Sequence, residues 1–242
     1  MKVEEQRRLQ IRSGEITLSA VVHLPQKIPA PVMVLCHGLL SLKESPKFIA
    51  LGEELSRNGF CALRFDFSAC GESPPRPGQS LVGARRMDLE SVLDFVPGQQ
   101  WSDGRIGLLG SSLGGYLSIL AANANPERIH AIVAWAAPFD ISRIISADEV
   151  APEFSHILPD GLELGEPQNL EAVENISRTL LIHGQQDEIV DWKHAVQIYS
   201  RLKDPKKLLL MRTADHKITD ESWRRAAMDA SIEWLLKYFS EQ

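Results

Sequence analysis

The chain predicts an α/β fold: a mostly parallel sheet with helices on both faces. Three observations lead there. Strand-length apolar runs alternate with helical patterns along most of the 242 residues. The runs 32–36 (VMVLC) and 106–109 (IGLL) carry the continuous apolar character of strands covered on both sides. Polar or glycine residues punctuate the ends of these strands: His37-Gly38, Asp66, Ser112, Asp140, Asp187 and His216. Ligands bind at that carboxyl edge in sheets of this kind.

Residues 6–12 and 15–24 read as two strands joined at Ser13-Gly14, with the mixed polarity of a sheet edge. A proline-marked connection, 25–31, leads into the strand 32–36, which ends at His37-Gly38-Leu39. A helix is expected over 46–57, with Phe48, Leu51 and Leu55 on one side and a stop at Asn58-Gly59. The strand 60–67 opens into Ser68-Ala69-Cys70-Gly71-Glu72-Ser73 and a proline-rich loop. A helix over 81–96 ends at Pro97-Gly98, and Asp103-Gly104 turns the chain into the strand at Ile106. After Ser112 a helix places Leu113, Leu117, Leu120 and Ala121 on one face and stops at Asn125-Pro126.

The strand 131–136 follows, and there the rhythm breaks. Residues 138–178 hold no strand pattern and many turn residues, so they read as an insertion of the lid or binding type within a single domain, 1–242. The rhythm resumes with a strand at 179–183, a helix at 192–202 and a strand at 207–211. The last helix, 221–239, aligns Trp223, Ala227, Ala230, Trp234 and Tyr238.

Composition narrows the function. The formal net charge of -6 argues against nucleic acid or an anionic membrane as partner. The 3 cysteines include no Cys-x-x-Cys, and Cys36 and Cys61 sit in strand-like runs as reduced core thiols. The first residues lack the apolar segment of a signal peptide, and no apolar run approaches membrane-span length, so a reducing cytoplasm is the expected setting. Phosphate-loop, dinucleotide and zinc-helix motifs do not occur, and no metal or cofactor is expected.

The chemistry-bearing motif is Gly110-Ser111-Ser112-Leu113-Gly114, set between a strand and a helix. That context makes Gly-x-Ser-x-Gly a nucleophile elbow. A serine needs a base, and the base needs an orienting acid. Of the 7 histidines, His216 lies in a loop after the last strand and before the last helix, with His156 as its rival. Asp187 follows a buried strand directly, with Asp140 and Asp191 as alternatives. The order Ser112, Asp187, His216 is the one expected of this elbow.

The chain resembles the α/β-hydrolase superfamily from end to end. The resemblance rests on His37-Gly38-Leu39, Arg64-Phe65-Asp66-Phe67-Ser68, Gly110 to Gly115, His183 to Val190 and Ala214-Asp215-His216. Its nearest flavour is the small-lid serine esterases of the feruloyl- and cinnamoyl-esterase type and related acyl-thioesterases. The resemblance implies an α/β-hydrolase fold: an eight-stranded sheet whose second strand is antiparallel, helices on both faces and a short lid. It implies Ser112 as nucleophile, Asp187 as acid and His216 as base, with an oxyanion hole at the backbone N–H groups of Leu39 and Leu113. A departure is Ala69-Cys70 before Gly71, where many relatives carry Gly-His or Gly-Asn. The expected partner is a small-molecule acyl substrate. Ester, thioester and amide hydrolysis share this apparatus, with the carboxylic ester favoured. In the insertion, Phe139, Ile141, Ile144, Ile145, Phe154 and Leu158 could line an acyl pocket or pack the insertion onto the body.

Overall fold

The strands β1 (Glu5–Ser13), β2 (Ile16–Leu24), β3 (Ala30–Cys36), β4 (Cys61–Phe65), β5 (Ser102–Ser111), β6 (Ile129–Trp135), β7 (Thr179–Gly184) and β8 (Lys206–Met211) form one sheet in the order β1-β2-β4-β3-β5-β6-β7-β8. β2 is antiparallel to both β1 and β4, and the remaining neighbours pair in parallel, as the resemblance implies. The structure is a computed structural model that describes residues 5–142 and 163–240. Among them no helix is long and apolar enough to cross a membrane.

Side-chain alternation along each strand feeds two apolar layers. β3 sends Val32, Val34 and Cys36 to one layer and Met33 and Leu35 to the other. The first layer is closed by α2 (Leu81–Phe95), α3 (Leu113–Ala124) and α4 (Lys193–Arg201), through residues such as Leu89, Leu117 and Ile198. The second is closed by α1 (Pro46–Arg57) and α5 (Glu221–Ser240), through Phe48, Leu51, Leu55 and Leu235. Both faces are therefore dry, which is why the central strands tolerate unbroken apolar runs.

Several expectations need correction. α3 is buried nearly all round, including Tyr116 and Ile119, while Leu120 is only half-buried. A helix this apolar on every side belongs between layers, so a one-face reading was too narrow. On α5 the buried stripe takes in Met228, Ser231, Ile232, Leu235 and Phe239 as well, whereas Trp223 and Ala230 are half-buried. β5 begins at Ser102, with Asp103-Gly104 inside the strand, because Ala30 of β3 pairs with Ser102. His23 is fully buried, since β1 shields β2 from the sheet edge and Arg64 Nε donates to His23 Nε2 at 2.8 Å.

The described flanks of 138–178 are tied to each other, and to the start of α2, by backbone bonds. Ile141 N–H donates to Gln168 O and Leu170 N–H to Phe139 O, at 2.8 and 2.9 Å. Leu81 and Val82, at the start of α2, donate to Glu163 O and Leu164 O, which satisfies N–H groups that a helix start leaves open. Phe139 and Ile141 are buried in the first layer, so they pack the insertion onto the body. Ile144, Ile145, Phe154, His156 and Leu158 lie outside the described residues.

Candidate active site

β5 ends at Ser111 and α3 starts at Leu113, so Ser112 occupies the turn between them. Its φ of 54 and ψ of -125 lie where a residue with a Cβ is strained, at a cost of roughly 1–3 kcal/mol. Two absent side chains permit the turn. A Cβ on Gly110 would stand 2.3 Å from Gly114 O, and one on Gly114 would stand 2.0 Å from Cys36 O. Ser112 N–H donates to Trp135 O at 2.8 Å, which ties the elbow to β6. Ser112 O accepts from Gly115 and Tyr116, which starts the helix beneath it.

Two loops deliver the other groups. The turn after β7 and the loop after β8 press together: a Cβ on Gly184 would stand 2.2 Å from Ala214 O, and Gln186 N–H donates to Ala214 O. This contact brings Asp187 to His216. His216 Nδ1 lies 2.8 Å from Asp187 Oδ2, and its Nε2 lies 3.1 Å from Ser112 Oγ. With an ionised Asp187 accepting at Nδ1, the Nε2 of the neutral ring is left to accept the serine hydroxyl.

The Asp187 side chain is buried and fully engaged. Oδ1 accepts from Ile189 and Val190 N–H at 2.9 and 2.7 Å. Oδ2 is shared by His216 and by His183 Nε2 at 3.1 Å. Burial by itself raises the pKa of this carboxyl. The hydrogen bonds from His183 and His216 outweigh it and hold the group well below the ordinary carboxylate range.

The loop after β3 closes the other side. A Cβ on Gly38 would stand 3.3 Å from Ser112 Cβ, so the Gly38-Leu39 peptide runs beside the serine. No described residue accepts from the N–H of Leu39 or Leu113. His37 Nε2 accepts from Phe67 N–H at 3.1 Å, so the ring carries its proton on Nδ1 and donates to Gly38 O at 2.8 Å. Burial and then the nearby Arg85 push the His37 pKa down to about 3, which keeps the ring neutral.

A buried ion pair fastens two of the loops at this edge. Asp66 accepts from Lys43 N–H and from Lys43 Nζ, both at 2.7 Å, and both side chains are essentially inaccessible. Glu72 N–H donates to the same carboxylate, and Lys43 Nζ reaches Glu72 Oε2 at 2.7 Å. Burial by itself lowers the Lys43 pKa, but Asp66 and Glu72 more than offset it and the ammonium is held above its ordinary value. On the far side of the elbow Lys47 Nζ donates to Ser111 Oγ at 2.7 Å. Desolvation lowers its pKa to about 8, against a partial rise from Asp215.

The structure thus brings together Ser112, Asp187, His216 and the peptides of Leu39 and Leu113. The rival acids serve local turns: Asp140 Oδ1 accepts from Ser142, and Asp191 Oδ1 from Lys193 N–H. His156 lies outside the described residues. Cys36 and Cys61 are buried, unpaired thiols that burial pushes up to about 12. Among the described residues no His, Cys, Asp and Glu side chains group as a metal site. Sequence reasoning missed His183, four residues before the acid, and it missed Arg85, Lys43 and Lys47. Only His183 carried a local signal, its place at the end of the strand that presents Asp187.

Comparison with known proteins follows the same lines. The sequence profile described as alpha/beta hydrolase fold matches residues 31–164. A palmitoyl-protein thioesterase of rat mitochondria, ABHD10, is 28% identical over 222 residues, covering 78% of this chain and 70% of the relative. The human counterpart is 26% identical over 224 residues, covering 80% and 69%. Among solved structures, alpha/beta hydrolase domain-containing protein 10 from mouse superposes with a TM-score of 0.73 at 24% identity, covering 96% and 99% of the two chains. Est1E from Butyrivibrio proteoclasticus, solved with ferulic acid, superposes with a TM-score of 0.80 at 20% identity, covering 96% and 100%.

Proposed function

The chain belongs to the alpha/beta hydrolase fold family, and from that premise we propose that it is a serine hydrolase that cleaves carboxylic esters of a small-molecule acyl substrate. The observation that carries the reading is the unbroken hydrogen-bonded line from Ser112 Oγ through His216 to Asp187 on a strained elbow.

In this reading Ser112 Oγ attacks the carbonyl carbon while His216 Nε2 takes its proton. Asp187 keeps its negative charge, holds the ring and stabilises the imidazolium. The carbonyl oxygen becomes an oxyanion held by the N–H groups of Leu39 and Leu113, and each such donor is worth about 10²–10³ in rate. The carbon–oxygen bond to the alcohol then breaks, and His216 returns the proton to the departing oxygen. Water attacks the acyl-serine, His216 accepts its proton, and Ser112 leaves with that proton restored. The acid is released.

A second reading, thioester hydrolysis, draws on the mitochondrial relatives named as palmitoyl-protein thioesterases. A thiolate leaves without needing the proton from His216, since thiols ionise near pH 8.5. The same hydroxyl and oxyanion donors would serve, and so would they for an amide. The test is fluorophosphonate labelling of Ser112 together with turnover of p-nitrophenyl esters, acyl thioesters and aminoacyl amides. Labelling and ester turnover, both abolished in Ser112→Ala, are expected. Thioester kcat/KM well above that of the matched ester would favour the second reading. Folded protein that takes no label would favour a non-enzymatic binding protein.

A further inference from the structure

Arg85 on α2 is a buried cation, 3% exposed, with no carboxylate at ion-pair distance among the described residues. The nearest acid on its own helix, Asp88, is taken by Arg76 Nη2 at 2.7 Å and Ser68 N–H at 2.8 Å. Among the described residues Arg85 Nε has no hydrogen-bond partner. Its Nη1 points to Gly38 O at 3.4 Å, and its Nη2 to Leu39 O at 3.2 Å and to Cys70 Sγ at 3.3 Å. The guanidinium lies 5.2 Å from the Phe67 ring centroid. Burying a charge with no ion-pair partner is costly for a fold.

The carbonyls it faces supply the explanation. A peptide unit is planar, so its C=O and N–H point in opposite directions. Gly38 O belongs to the unit whose N–H is that of Leu39. Two donors sit at the carbonyl end, neutral His37 at 2.8 Å and charged Arg85 beyond it. They aim the N–H the other way, toward Ser112, whose Cβ borders residue 38. A cation at the carbonyl oxygen also draws electron density along the unit and makes its N–H a stronger donor. Both effects grow where water is excluded.

We propose that Arg85 is a positioning residue for acyl transfer: it orients and polarises the Leu39 N–H that receives the oxyanion, and adds positive charge behind it. The proposal rests on the hydrolase reading above. Its effect belongs to the tetrahedral species and not to the bound substrate, because the ground-state carbonyl carries little charge.

The experiment compares wild type with Arg85→Met and Arg85→Lys, using a p-nitrophenyl acyl ester and a trifluoromethyl ketone of the same acyl group. Ser112 Oγ adds to the ketone carbon, His216 keeps the serine proton, and the ketone oxygen becomes the oxyanion. In Arg85→Met, kcat falls roughly 10–100-fold with KM little changed, and the ketone Ki rises by a matching factor. Arg85→Lys recovers part of both. The adduct hydroxyl, followed by 13C NMR, titrates at higher pH in Arg85→Met. A folded Arg85→Met with unaltered kcat and Ki, or a loss confined to KM, overturns the proposal. Should that variant not fold, Arg85→Gln, which removes the charge and keeps two donors, takes its place; failure of both to fold assigns Arg85 to the fold and overturns the proposal as well. A wild type that neither hydrolyses the ester nor binds the ketone instead strikes down the hydrolase reading, and this inference with it.

Discussion

His183 and His216 place a ring nitrogen on the same oxygen: Asp187 Oδ2 lies 3.1 Å from His183 Nε2 and 2.8 Å from His216 Nδ1. His183 Nε2 also donates to Val190 O at 2.8 Å. The second imidazole therefore braces the carboxylate from behind. In His183→Phe, kcat should fall about 10-fold, with a stability loss of about 1–3 kcal/mol from the orphaned Val190 carbonyl. His183→Gln, which retains a donor, should restore most of kcat. Ester turnover and urea denaturation of the two variants check this; equal kcat in all three proteins would contradict it.

Ser112→Ala should lower turnover by about 10⁶ while the sheet stays folded. Removing the hydroxyl does not relieve the turn, since the strain lies in the backbone. Circular dichroism and ester hydrolysis measure the two halves of this prediction. Near-full activity in the variant would remove Ser112 as nucleophile.

Asp187 carries a pH signature. Its folded pKa is held below the unfolded value of about 4, so it contributes stability above that pH and loses it as pH falls further. The stability advantage of wild type over Asp187→Asn should therefore shrink as pH falls from about 5 to about 2. Denaturant midpoints across that range test it, and an unchanging difference would speak against the hydrogen-bonded, ionised carboxylate.

Lys47 should behave in the opposite sense to a paired lysine. Its folded pKa is about 8 against an ordinary 10.5, so within that window the unfolded chain holds a proton the folded one has lost. Stability from this group rises with pH there. Relative to Lys47→Met, wild type should gain thermal stability from neutral pH to about pH 10. Parallel melting curves for the two proteins would contradict the depressed amine.

Gly114→Ala should be severely destabilising, by about 3 kcal/mol or more, because its Cβ would meet the fixed Cys36 carbonyl at 2.0 Å. Gly98→Ala, where the Cβ meets nothing within 4 Å, should be tolerated. Melting temperatures of the pair decide the matter.

The legible parts of this chain were those with local causes. The run 32–36 and the glycines around Ser112 announce a buried strand and a tight turn through steric need alone. The serine, acid and histidine followed from their places after strands. Arg85 looks like any charge on a helix beside Arg86, and only the fold turns it under the Gly38 carbonyl. Lys43 and Asp66 lie 23 residues apart with no repeating pattern between them. The N–H groups of Leu39 and Leu113 proposed as oxyanion donors are backbone atoms, so no side chain marks them and only the family resemblance points to them. The burial of α3 on nearly every side follows from its run of apolar and glycine residues, which leaves no polar face to set toward water.

The Lys43–Asp66 pair has a consequence for brine. Counter-ions screen charges that they can approach, and this pair is sealed from them. The outer Arg8–Glu72 contact, 3.3 Å and open to solvent, dissolves as ionic strength climbs. Molar sodium chloride should thus loosen the rim yet leave the inner fastening between the two loops intact, giving the hydrolytic edge a tolerance of salt that its exposed charges do not share.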